Sequence, residues 1–209
     1  MLLLAIYGSP RQAGNTDILL DEFLKGALSA NPPRTNQLRR GALAPTDTGG
    51  AHLQMQKIFI RDLKITPCQE YNACLKTGNC VIQDEMNTLY EQLLKADIVA
   101  LAAPVFFYNV PAQVKIIIDR CQALWARKYI LKETPKHSGR KGFFISAGGT
   151  KGENLFTGTV LTVRYFFKAI NVDYSGELLY KQIDAKGAIR KHPTALKEAF
   201  EAGRKLAGK

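Results

Sequence analysis

Short apolar runs alternate along the chain with longer stretches in which apolar residues return every three or four positions. Unbroken apolar runs predict strands buried on both faces, and the wider spacing predicts helices with one buried face. Leu2–Tyr7 is such a run, and it stops at the turn Gly8-Ser9-Pro10. Asn15 and Thr16 are placed to cap the next helix, whose inner face carries Ile18, Leu19, Leu20, Phe23 and Leu24. Gln54–Ile60 alternates weakly, as an outer strand does. Asp84 opens a helix that runs through Ala96, with Met86, Leu89, Leu93 and Leu94 on one side. Asp97–Ala103 is the second strongly apolar strand. Beyond it the pattern predicts a helix over 111–128, a strand Lys141–Ala147, a helix Leu155–Ile170, a strand Val172–Tyr180 and a last helix Ala185–Leu206.

Five strand–helix units in series predict an α/β fold, a parallel sheet with helices on both faces. Right-handed crossovers leave few topologies, and the commonest five-stranded order is 2-1-3-4-5. The 209 residues read as one domain, 1–209. Two features interrupt it. One is an insertion at about 31–51, rich in Pro and Gly and without aromatics; the other is a cysteine loop at 67–81.

The formal net charge of +11 raises the question of a polyanionic partner. Most of the excess lies in three blocks, 31–64, 120–141 and 181–209, and the rest of the chain is mildly acidic. A nucleic-acid binder needs aromatics interleaved with its basic stripe. The last block has only Phe200 within it, so it reads as a solvated helix face, and no nucleic-acid partner is expected. No membrane partner is expected either. The longest uncharged run, Ile98–Val114, contains Pro104, Asn109 and Pro111 and falls short of the roughly 20 apolar residues of a span. Met1–Tyr7 lacks the basic region and cleavage site of a secretory signal, so the expected location is the cytoplasm, with reduced cysteines.

Ligands of such sheets bind beyond the carboxyl ends of the strands, near the switch between strands 1 and 3. Three segments fall there. In Gly8–Thr16, Ser9, Asn15 and Thr16 offer hydrogen bonds, Arg11 offers a cation, and a helix start adds free N–H groups. That combination suits a phosphate monoester. It is neither a Walker loop nor a dinucleotide fingerprint, because the required Gly-Lys-Ser/Thr and Gly-x-Gly-x-x-Gly are absent. In Pro104, Val105, Phe106, Phe107, Tyr108 and Asn109, consecutive aromatics at a strand end cannot all enter the core, so one or more should flank a flat ring. In Ser146, Ala147, Gly148 and Gly149, small residues let main chain approach a ligand.

These motifs, in this order and spacing, with Pro67-Cys68 and Thr77-Gly78-Asn79-Cys80 between them and Lys115, Asp119 and Arg120 after, resemble the NAD(P)H-dependent FMN reductases of flavodoxin-like fold. The resemblance covers most of residues 1–180 and is greatest to the branch near the iron–sulfur flavoproteins. It implies a flavodoxin-like three-layer sandwich that binds FMN. The phosphate would sit on Ser9, Arg11, Asn15 and Thr16, the ring against Pro104–Asn109, and Ser146–Gly149 would close the far side. The family usually has Tyr where this chain has Phe106, which keeps the apolar surface and loses a hydroxyl. It also implies NAD(P)H as hydride donor and a small-molecule acceptor such as a quinone or nitroaromatic. FMN carries the chemistry, so no side chain is expected as acid or base. A homodimer or homotetramer is implied, with 111–128 and 126–141 as candidate contacts. The alternative is a flavodoxin-like electron carrier without enzymatic activity.

The cysteine loop departs from that branch. Iron–sulfur members resemble Cys-x2-Cys-x2-Cys-x5-Cys, whereas here Tyr71 stands at the second position between Cys68 and Cys74, with Cys80 last. A cubane cluster normally takes four thiolates, so the cysteines are expected as structural or redox-sensitive thiols and no metal is expected. Cys121-x5-Arg127 formally matches the thiol-phosphatase signature, but Ile117, Cys121, Leu124 and Trp125 share a helix face, which predicts core packing.

Overall fold

The fold is described from a computed structural model covering residues 1–31, 52–133 and 137–208. Apart from Asn31, the expected insertion lies outside the described residues. Five strands, β1 (Leu2–Tyr7), β2 (Gln54–Phe59), β3 (Ile98–Pro104), β4 (Lys141–Ala147) and β5 (Asp173–Tyr180), form one sheet in the order β2-β1-β3-β4-β5, every neighbour parallel. This is the topology expected from the alternation of elements.

Among the described residues seven α-helices accompany the sheet: α1 (Asn15–Ala30), the single turn α2 (Cys74–Thr77), α3 (Met86–Lys95), α4 (Ala112–Arg120), α5 (Gln122–Tyr129), α6 (Thr157–Ala169) and α7 (Ala195–Ala207). Successive side chains of a strand point to opposite faces, which splits the core in two. Leu4 and Ile6 of β1 join Leu93, Val114, Ile117 and Phe166 on one face. Leu3, Ala5 and Tyr7 join Leu19, Phe23 and Ala199 on the other. There α1 and α7 cross with main chain against main chain: a Cβ on Gly26 would lie 1.8 Å from the Phe200 carbonyl, and one on Gly203 would lie 1.9 Å from that of Phe23. Only glycine permits this approach, and it draws the chain leading into α7 up against the start of α1.

Three helix boundaries differ from expectation. Gly14, not Asn15 or Thr16, occupies the cap of α1, and neither side chain caps the helix. The helix expected over 111–128 is two, because the chain tightens at Cys121, whose N–H is shared between the Ile117 and Ile118 carbonyls. The last helix begins at Ala195 rather than at Ala185. Pro193 has no N–H to give and keeps His192 extended, so the chain before it forms only a short 3-10 turn, Ala188–Lys191.

Candidate functional site

A cleft opens at the carboxyl ends of β1, β3 and β4. The β1–α1 connection and the start of α1 line it with Ser9, Pro10, Arg11, Gly14, Asn15 and Thr16; the end of β3 and the turn after it contribute Pro104, Val105 and Phe106; the end of β4 and the turn after it contribute Ala147, Gly148 and Gly149. Its volume is about 90 Å³, enough for a phosphate-sized group.

The first loop is closed by its own hydrogen bonds. Ser9 Oγ donates to the Arg11 carbonyl at 3.0 Å and accepts from the Arg11 N–H at 3.1 Å. Asp17 Oδ2 accepts from the Ala13 N–H at 3.1 Å and from Arg61 Nη1 at the same distance. Arg61 follows β2, lies over the Phe59 ring and also donates to the Ser9 carbonyl. It was not anticipated from sequence; its one signal is a basic residue just past an outer strand. Burial pushes the Asp17 carboxyl above its usual range, and Arg61 opposes that only in part.

Two buried atoms here have no partner among the described residues, Thr16 Oγ1 and Asp17 Oδ1. A buried hydroxyl rarely goes unpaired. Thr16 lines the cleft at the start of α1, where the first main-chain N–H groups are also unpaired within the helix. Gly14 keeps the loop small, since a Cβ there would come 3.0 Å from Ser9 Oγ. A free hydroxyl, helix N–H groups and Arg11 around one small concavity match the donors a phosphate monoester needs, so the residues present fit FMN.

Three expected residues do not line the cleft. Ser146 is fully buried and ties β4 to β3 by donating to the Ala103 carbonyl at 2.8 Å. Phe107 projects wholly into solvent. Asn109 closes a tight hairpin: its N–H and carbonyl both bond to Phe106, and its Oδ1 accepts from the Val110 N–H. Phe107 and Tyr108, the central residues, both have positive φ, the signature of a type I′ turn made here without glycine. The hairpin rests on α6, where Thr159 Oγ1 donates to the Tyr108 carbonyl.

Asn15 lines the cleft, but its side chain is engaged elsewhere. Its Nδ2 donates to the Ala185 carbonyl at 3.0 Å, and its Oδ1 accepts from the Ile189 N–H at 3.2 Å. What it can offer an anion is its main-chain N–H. The segment it holds supplies cleft residues that sequence reasoning missed, Ile183 and Asp184, between the expected strand and helix, and Lys186, inside the stretch Ala185–Leu206 that the periodicity reads as helix.

The cysteine loop borders a separate cavity of about 750 Å³, lined by Cys68, Tyr71, Cys74, Cys80, Trp125 and Tyr165 among others. Burial and the neighbouring Cys80 raise the Cys74 thiol. Tyr71 is exposed, and among the described residues no three His, Cys, Asp or Glu side chains are grouped to hold a metal. Three thiols and a solvent-facing phenol do not fit a four-thiolate cluster. Cys121 packs in the core between α4 and α5, as expected from its helix face. None of the described helices is long and apolar enough to cross a membrane.

The family model described as NADPH-dependent FMN reductase matches residues 1–172. An iron–sulfur flavoprotein of Archaeoglobus fulgidus is 39% identical over 105 residues, 49% of this chain and 51% of that one. One of Methanosarcina thermophila is 31% identical over 151 residues, 72% of this chain and 65% of that one. The chain thus spans about half to two thirds of the length of these two relatives. Among solved structures, an FMN-dependent NADH-azoreductase of Bacillus anthracis in complex with FMN superposes with a TM-score of 0.66 at 14% identity, covering 99% of this chain and 100% of that one.

Proposed function

The chain belongs to the NADPH-dependent FMN reductase family, and on that premise we propose that it is an FMN-dependent oxidoreductase that takes hydride from NAD(P)H and passes the electrons to a small-molecule acceptor such as a quinone or a nitroaromatic. The observation that carries this reading is the unpartnered Thr16 hydroxyl at the N-terminus of α1, inside a cleft bounded by all three segments singled out in the sequence.

FMN, when bound, would supply the redox chemistry, accepting a hydride and releasing electrons. Arg11, the Thr16 hydroxyl and the first N–H groups of α1 would hold its phosphate. Pro104, Val105 and Phe106 provide an apolar wall on one side, and the small residues Gly148 and Gly149 let main chain approach from the other. No side chain is assigned as acid or base.

A non-enzymatic carrier would use the same cleft. The enzyme is favoured by the open rim, where the cleft residue Phe106 is 48% exposed, so that a second flat molecule has access. Stopped-flow mixing of the FMN-loaded protein with NADPH tests this. Loss of flavin absorbance on mixing supports the enzyme, and inertness with a tightly bound flavin supports the carrier. The proposal includes assembly as a homodimer or homotetramer, to be measured by sedimentation. Ile130, within the candidate contact segment, and Leu161 and Tyr165 of α6 are exposed apolar groups consistent with such contacts.

A further inference from the structure

The connection between β5 and α7 is held at both ends. At its start the Gly148 N–H donates to the Tyr180 carbonyl, the Ile183 N–H to the Gly148 carbonyl and the Gln182 N–H to the Thr150 carbonyl, so the segment runs along the β4 loop. At its far end the Asn15 side chain bonds main chain on both sides of Lys186, at Ala185 and at Ile189. Asp184, which shares the cleft, packs against Gly149 on the β4 side. Lys186 is carried between these attachments, lines the cleft with Arg11, and makes no ion pair among the described residues.

A phosphate monoester carries about −1.5 to −2 charges at neutral pH. A helix N-terminus supplies roughly half a positive charge. With Arg11 the total is about +1.5, and the Asp184 carboxylate in the same cleft subtracts about one, which leaves the site well short of the phosphate's charge. Arg61, the other cation near the loop, is committed to Asp17.

We propose that the 183–189 segment is a fourth wall of the phosphate site, that Lys186 is its second cation, and that Asn15 acts as the latch that presents Lys186 rather than as a phosphate ligand through its side chain. The inference rests on the reading of the cleft as an FMN site. It assigns Lys186 to the phosphate and leaves Phe106 and the two glycines after β4, Gly148 and Gly149, to the remainder of the molecule. Lys186 is therefore a binding residue and Asn15 a positioning residue.

The test compares FMN with riboflavin, which lacks the phosphate, by quenching of flavin fluorescence on titration with the protein. Lys186→Gln should weaken FMN about tenfold, the range of one charge-assisted hydrogen bond, and leave riboflavin unchanged. Asn15→Ala should lower the FMN-to-riboflavin preference similarly, and adding Lys186→Gln to it should cost little more. Lys191→Gln, a nearby basic residue outside the cleft, should alter neither affinity. If wild-type protein binds FMN and Lys186→Gln binds it equally well, or loses riboflavin in parallel, the inference is wrong and the FMN site stands. Wild-type protein that takes up neither flavin overturns both.

Discussion

Arg120 grips Asp84 with both ends of its guanidinium, Nη1 at 2.8 Å from Oδ2 and Nη2 at 3.2 Å from Oδ1. The arginine side chain is completely buried and the aspartate nearly so. The same guanidinium donates to the carbonyls of Thr66 and Ile82, which stand on either side of the cysteine loop. One side chain at the end of α4 therefore closes the base of that loop. Losing it strands a carboxylate and two carbonyls. Arg120→Met should cost about 3–5 kcal/mol, seen as a melting temperature lower by roughly 10 °C. FMN affinity, measured below the transition, should not change, because the cleft lies elsewhere.

The same pair sets an acid limit. Burial alone would raise the Asp84 carboxyl, but the Arg120 guanidinium and the N–H groups of Thr66 and Met86 outweigh it and hold the group below the usual carboxylate range. A depressed carboxyl contributes stability above its unfolded value, near 3.9, and loses it as pH falls through the lower folded value. Melting temperatures recorded between pH 2 and 6 should fall steeply for the wild type below about pH 4. Asp84→Asn should start lower at pH 6 and fall less.

Thr16→Val separates binding from folding, because its two effects have opposite signs. Without ligand the hydroxyl is buried and unpaired, so its removal should leave stability unchanged or raise it by about 1 kcal/mol. With FMN the lost hydrogen bond to a charged group should weaken affinity by about 1.5–3 kcal/mol. Paired melting and flavin-titration experiments check both.

The aromatic hairpin depends on Gly158. A Cβ there would lie 2.6 Å from the Tyr108 carbonyl, so Gly158→Ala must push the hairpin off α6. The expected penalty is about 1–3 kcal/mol in stability. The visible spectrum of bound flavin should also change, because Phe106 moves with the hairpin. An unchanged spectrum would show that the ring does not lie against this segment.

Thiol accessibility distinguishes the cysteines. Cys68 is exposed, Cys74 and Cys80 are half-buried, and Cys121 is enclosed in the core. Titration of native protein with a thiol reagent should modify Cys68 fastest and leave Cys121 unreacted until the chain unfolds. Cys121→Ser should keep NADPH-dependent flavin reduction, whereas a phosphatase reading of Cys121-x5-Arg127 requires a reactive thiol.

What the sequence determined by itself was local. Apolar runs such as Leu2–Tyr7 and Lys141–Ala147 matched their strands residue for residue, because a strand buried on both faces admits little else. The order of the elements, with the handedness of crossovers, then fixed the sheet topology and brought the Gly8–Thr16, Pro104–Phe106 and Ala147–Gly149 segments to one place. Tertiary structure alone decided which atoms are free once that place is built. Asn15 looked like a ligand, but its amide is spent on the Ala185–Ile189 turn; Ser146 looked like cleft lining, but its hydroxyl ties two strands. Lys186 was hidden in a stretch read as helix until Pro193 and the glycine crossing of α1 with α7 set where that stretch runs. Periodicity reports which face of an element is buried. It does not report hydrogen bonds between residues some 170 positions apart, and those bonds decide which polar groups remain for a ligand.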